Sequence, residues 1–102
     1  MKAEAIVKAL ETAHAQLGVR VRRERGAFQG GRCTVDDHEV LVLNRNHPVE
    51  VQLAVLAESL RSLPADQVFL RPAVRAALED QWRRAEAGMV DEGSGIGDQG
   101  LG

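Results

Sequence analysis

Six side chains of the kinds that hold metals or activate nucleophiles crowd one short stretch: Cys33, Asp36, Asp37, His38, Glu39 and His47. A zinc site needs about four convergent N, S or O donors on a rigid frame. The spacing here fits no zinc-binding pattern, and a hairpin through this stretch sends Cys33 one way and the turn residues Asp37 and His38 another. No metal is expected. A thiol nucleophile is the second chemistry, with Cys33 attacking and His14, His38 or His47 as its base. Such a thiol wants a lowered pKa, partial exposure and a positioned imidazole. Apolar strand neighbours work against it, so the expectation is a buried thiol, slow to alkylate in the native chain. The third candidate is a group of arginines, Arg20, Arg22, Arg23 and Arg25, with Arg32 and Arg45 further on. Arginines pointing out from a strand can bind phosphates or an acidic partner. They also keep a strand edge soluble.

Composition narrows the classes. The chain has 102 residues, 44% hydrophobic and 27% charged, which is the balance of one soluble domain. A net charge of −2 argues against a mainly electrostatic nucleic-acid binder, although charge is uneven along the chain. Residues 18–45 carry +2, residues 46–102 carry −4, and residues 1–17 balance. Aromatics are Phe28, Phe69 and Trp82 alone, too few for a base-stacking platform. Nucleic acid is therefore a disfavoured partner. The single cysteine cannot close an internal disulfide, and no secretory leader or membrane-length apolar run is readable. A reduced, cytoplasmic location is expected. Glycines 26, 30 and 31 precede a strand instead of a helix, unlike a nucleotide-binding loop, and no cofactor is expected.

Periodicity supplies the elements that would position these groups. Ile6, Val7, Leu10, Ala13 and Leu17 recur at helical spacing over residues 2–17, and Gly18 stops that helix. Val19 and Val21 alternate with Arg20 and Arg22, the mark of a half-buried strand. Residues 32–35 and 39–43 read as a hairpin. A turn at Asp37-His38 would set Val35 opposite Val40 and Cys33 opposite Val42 on one apolar face. The continuous run from Val40 to Leu43 suggests an inner strand covered on both sides. Pro48 suits a first helical position, with Asn46 or His47 as the cap. The helix that follows carries Val49, Leu53, Leu56, Leu60 and Leu63. Val51, Ala54 and Val55 widen its apolar face beyond one stripe, which implies burial on two sides or a partner. Pro64 ends it. A last helix opens at Pro72 with Val74, Ala77, Leu78 and Trp82 on one side. The expected fold is α+β: an N-terminal helix, a small three-stranded sheet, a central buried helix and a C-terminal helix. It forms one domain over residues 1–87, with 88–102 as a flexible, acidic, glycine-rich tail.

Two likenesses follow from these residues. Leu17-Gly18-Val19-Arg20-Val21 after a helix, a glycine-rich hairpin, a strand ending Leu43-Asn44, and a helix with Leu56-Ala57-Glu58 together resemble the ImmA/IrrE metallopeptidase-like domain. That family implies a zinc held by H-E-x-x-H, its two His one helical turn apart and its Glu as general base. With Glu58 at the Glu position, Ala57 and Arg61 stand at the His positions. With Leu56-Ala57 aligned instead, Glu58 and Ser62 stand there. Neither register holds a His, so the resemblance implies a domain without the metal chemistry, and Glu58 is left as a bare catalytic candidate. The chain also resembles a group of small uncharacterised bacterial proteins with a Gly-Gly-x-Cys hairpin and a Val-Phe-Leu-x-Pro-Ala-Val-Arg segment, here Val68 to Arg75. That likeness implies no activity.

The reading that results is a small non-catalytic, cytoplasmic interaction or regulatory module, with a second copy or another protein as its partner and no membrane. Two alternatives stand beside it: an enzyme or redox protein using Cys33, and an arginine-mediated binder of nucleic acid or acidic protein through Arg20, Arg22, Arg23 and Arg25.

Overall fold

A computed structural model describes residues 1–95, with side chains through residue 88. The fold is α+β. Helix α1 (Ala3–Gln16) leads into strands β1 (Val19–Glu24), β2 (Gly31–Val35) and β3 (His38–Asn44). Helix α2 (Val49–Arg61), a 3-10 turn η1 (Ala65–Gln67) and helix α3 (Pro72–Gly95) complete the described chain. The helical backbone of α3 thus runs through Gly88 to Gly95, into the segment the sequence reads as tail; residues 96–102 lie outside the described residues. No helix among the described residues is long and apolar enough to cross a membrane.

The last strand lies between the first two. The sheet order is β1-β3-β2, with β1 parallel and β2 antiparallel to β3. The chain must therefore leave β1, step over the C-terminal end of β3 and return as β2. Gly30 makes that step: its φ is +89°, and a Cβ there would sit 2.8 Å from the Val42 carbonyl oxygen. Asn44, the last residue of β3, holds the crossing segment down. Its Nδ2 donates to the Gly26 and Phe28 carbonyls at 2.7 and 2.8 Å, and its Oδ1 accepts from the Asn46 amide at 2.9 Å.

The hairpin turns one residue earlier than its apolar pattern suggests, at Asp36-Asp37 instead of Asp37-His38, which shifts the pairing by two. Asp36 and Asp37 take φ of +51° and +68°, the conformation of a type I′ turn, which matches the twist of the flanking strands. Pairing is then Val35 with His38, Cys33 with Val40 and Gly31 with Val42. A two-residue shift keeps Cys33, Val35, Val40 and Val42 on one face, as expected. That face is not the core. Leu41 and Leu43 of β3 and Val19 of β1 point to the helices and join the core. Val40, only 4% exposed, lies outside that core, shielded by its neighbours on the flanking strands. β3 is therefore central between strands but covered by helices on one side only.

α1 buries Ile6, Val7, Leu10 and Ala13, α2 buries Leu53, Leu56, Ala57 and Leu60, and α3 buries Val74 and Leu78. α2 packs against α1, α3, β2 and β3. Pro48 itself caps it: its carbonyl accepts from the Val51 and Gln52 amides, and no side chain caps the helix. Reciprocal bonds lock α2 to α3, Trp82 Nε1 donating to the Ala57 carbonyl at 2.7 Å and Arg61 donating to the Trp82 carbonyl at 3.0 Å. Replacing Asn44 by Ala strands three backbone groups at the crossing. Asn44→Ala should cost about 2–3 kcal/mol, read as a lower urea midpoint at unchanged m-value.

Candidate functional site

Only part of the apolar surface of α2 goes into the core. Val51 and Ala54 line a groove between α2 and the start of β2, together with Val55, which also packs against the core, and with Leu41 at its floor. Gln29, Gly30, Gly31 and Arg32 form the facing wall, and Glu58, Ser59 and Ser62 continue the helical side. The groove holds about 520 Å³, within the range of ligand sites, and its floor is apolar with a few polar groups at the margin. Arg32 reaches across it: the guanidinium donates to Ser62 Oγ and pairs with Glu39 at 3.3 Å. Glu58 stands at the edge with its side chain 64% exposed, 3.7 Å from Arg61.

Behind the groove wall sits the one fully buried ionisable side chain among the described residues. His14 Nδ1 lies 2.7 Å from the Leu10 carbonyl oxygen, so that nitrogen carries the proton and donates. Nε2 then accepts from the Ser59 hydroxyl at 2.9 Å. Burial pushes the His14 pKa below its ordinary 6.5; the Leu10 carbonyl opposes this, Arg32 reinforces it and Glu11 opposes it. A serine hydrogen-bonded to an oriented imidazole has the geometry of a nucleophile and its base. The electrostatics point the other way. A general base must take up a proton in the reaction, and this imidazole resists charge, with a neutral carbonyl where a catalytic triad has a carboxylate. The pair acts as a polar pin between α1 and α2. Periodicity alone could not find it, since His14 sits on the apolar face of α1 and Ser59 comes 45 positions later.

The residues singled out from sequence scatter. Cys33 is exposed on the outer face of the sheet, which corrects the expectation of a buried thiol. The reason is the side of the sheet that the helices cover, a choice strand alternation leaves open. His14 lies behind the helix face, His38 closes the hairpin opposite Val35, and His47 sits in the loop before α2. No three of the His, Cys, Asp and Glu side chains among the described residues gather into a metal-holding group. The arginines divide as well. Arg20 and Arg22 pair with Val40 and Val42, on the outer face, and Arg22 meets Glu24. Arg23 turns to the helix side, paired with Glu11 and donating to Gln52 Oε1 at 3.3 Å. Arg25 is exposed beyond the strand. Glu58 is at the groove, but Ala57 is buried in the core and Arg61 reaches α3, so the three share no open site. Comparison with known protein families, with curated proteins and with solved structures finds no match to this chain.

Two outcomes follow from this geometry. Because folding holds His14 neutral, the unfolded chain binds its proton more readily. The stability linked to it is complete above pH 6.5 and is lost as pH falls from there toward the lower pKa of the folded state. Urea midpoints taken from pH 7.5 downward should drop through this window, and His14→Gln should flatten the drop. Cys33, being exposed, should alkylate in the native protein within a few-fold of its rate in denaturant, and Cys33→Ala should change stability by less than about 0.5 kcal/mol.

Proposed function

We propose that this chain is a small non-catalytic interaction module that takes an extended segment of a partner protein into the groove between α2 and β2. One observation carries the reading: an apolar groove runs directly beside a strand whose outer edge has no strand partner among the described residues. In a two-residue hairpin the closing pair, here Val35 and His38, exchanges both main-chain bonds. By alternation the main-chain groups of Arg32 and Thr34 face away from β3. An incoming strand pairs with them, and every second side chain then drops toward the groove, the pattern of β-strand addition.

Groove-facing positions one helical turn apart on α2 and its end are Val51 and Val55, Ala54 and Glu58, Val55 and Ser59, and Glu58 and Ser62; none of these pairs holds the two His of a zinc motif. That accords with the resemblance to a metallopeptidase-like domain whose zinc motif is missing: the same helix and strand would bind a chain segment without cutting it. The neutral, charge-resistant His14 behind Ser59 supports the same conclusion. The exposed Cys33 lies on the other face of the sheet and takes no part.

Selection of a displayed library of extended peptides against the protein tests this. Binders should carry an apolar residue flanked by β-formers and bind on the order of 1–100 μM. Ala54→Arg fills the groove from an exposed helical position and should weaken them at least tenfold, while Arg20→Ala on the outer face should leave them unchanged. Binders that ignore Ala54→Arg, or no binders at all, would overturn the reading.

A further inference from the structure

Phe69 is 83% exposed, the extreme among the large hydrophobic side chains of the described residues. It is also held firmly. Val68 before it packs against the core, and Leu70 after it is buried. The alternation of an extended segment therefore drives Val68 and Leu70 inward and Phe69 and Arg71 outward on the same side. With both neighbours packed inward the backbone at Phe69 is already fixed, so covering the ring costs side-chain ordering but no backbone ordering, which suits a binding anchor. The other two aromatics are already engaged: Trp82 bonds α2, and Phe28 lies against Gly26.

The same chain carries a receptor of matching chemistry. The groove between α2 and β2 is apolar at its floor, through Leu41, Val51 and Val55, and has the exposed carboxylate of Glu58 at its margin. A ring entering the floor would bring the guanidinium two residues on toward that carboxylate. We infer that the segment accepted by the groove is Phe69-Leu70-Arg71 of a second copy of this chain, with Phe69 in the groove and Arg71 against Glu58. This rests on the proposed reading of the groove as a docking site and names its occupant.

Sedimentation of the full chain over a concentration series tests the inference. The expected result is a mass that rises above one chain, with a dissociation constant on the order of 10–100 μM for so small a contact. Phe69→Ala removes the ring and Ala54→Arg closes the groove, both at exposed positions. Each should weaken association at least about tenfold. Mixing the two variants restores one intact contact, ring from one and groove from the other, so the mixture should associate where neither variant does alone. A single-chain mass up to about 1 mM, association indifferent to either substitution, or a mixture that stays monomeric would each overturn it. Peptides that bind the groove of a chain that remains monomeric would overturn this inference alone and leave the groove a docking site.

Discussion

Everything built on the sheet depends on how the chain crosses the end of β3. A strand inserted between two earlier ones requires the connecting segment to pass close over it, and close passage requires a residue without a side chain at Gly30. It also exposes carbonyls that need donors near the core, which Asn44 supplies to Gly26 and Phe28. The crossing does more than close the sheet. The segment it positions, Gln29 to Arg32, is the wall of the groove that faces α2. A polar residue at the end of an apolar strand therefore fixes both the topology and the candidate site.

The helices then decide which surfaces remain for contact. α1 and α2 cover the side of the sheet that bears Val19, Leu41 and Leu43, and leave the side with Val40, Val42 and Cys33 to solvent and to the arginine stems of β1. α2 gives its Leu53, Leu56 and Leu60 to the core and its Val51 and Ala54 to the groove, with Val55 touching both. The His14–Ser59 bond ties this helix to α1 at the height of the groove, and Trp82 and Arg61 tie it to α3. The proposed role as a docking surface rests on this apolar groove and on the edge of β2, which has no strand partner among the described residues: main-chain pairing would supply affinity and the groove selectivity.

The electrostatic pattern agrees with binding over chemistry. The imidazole bonded to Ser59 behind the groove resists charge through burial, reinforced by Arg32, and the Glu58 carboxylate at the groove margin is largely in water. Arg32 is already shared between Ser62 and Glu39. Groups so satisfied orient a ligand by hydrogen bonds and shape, whereas catalysis asks for a group whose protonation is poised to change.

The sequence by itself determined the elements. The 3.6-residue spacing of Ile6, Val7, Leu10 and Ala13, the spacing of Leu53, Leu56 and Leu60, and the alternation around Val19 and Val21 each reflect a local period, and each element stands where its period places it. The surplus apolar width of α2 was also legible, as a mark of two-sided burial or a partner. What only the tertiary structure decided is which side of each element meets which neighbour. Alternation put Cys33 with Val35, Val40 and Val42 but is symmetric between the two faces of a sheet, and the helices took the other one. The hairpin register followed the turn, because two aspartates at positive φ satisfy the strand twist while the apolar pattern fits either of two even shifts. Alternation likewise separates Arg23 from Arg20 and Arg22, and only the helices decided that Arg23 is the one on their side. The groove and the His14–Ser59 pair join residues far apart in the chain, and no local period encodes a contact of that kind.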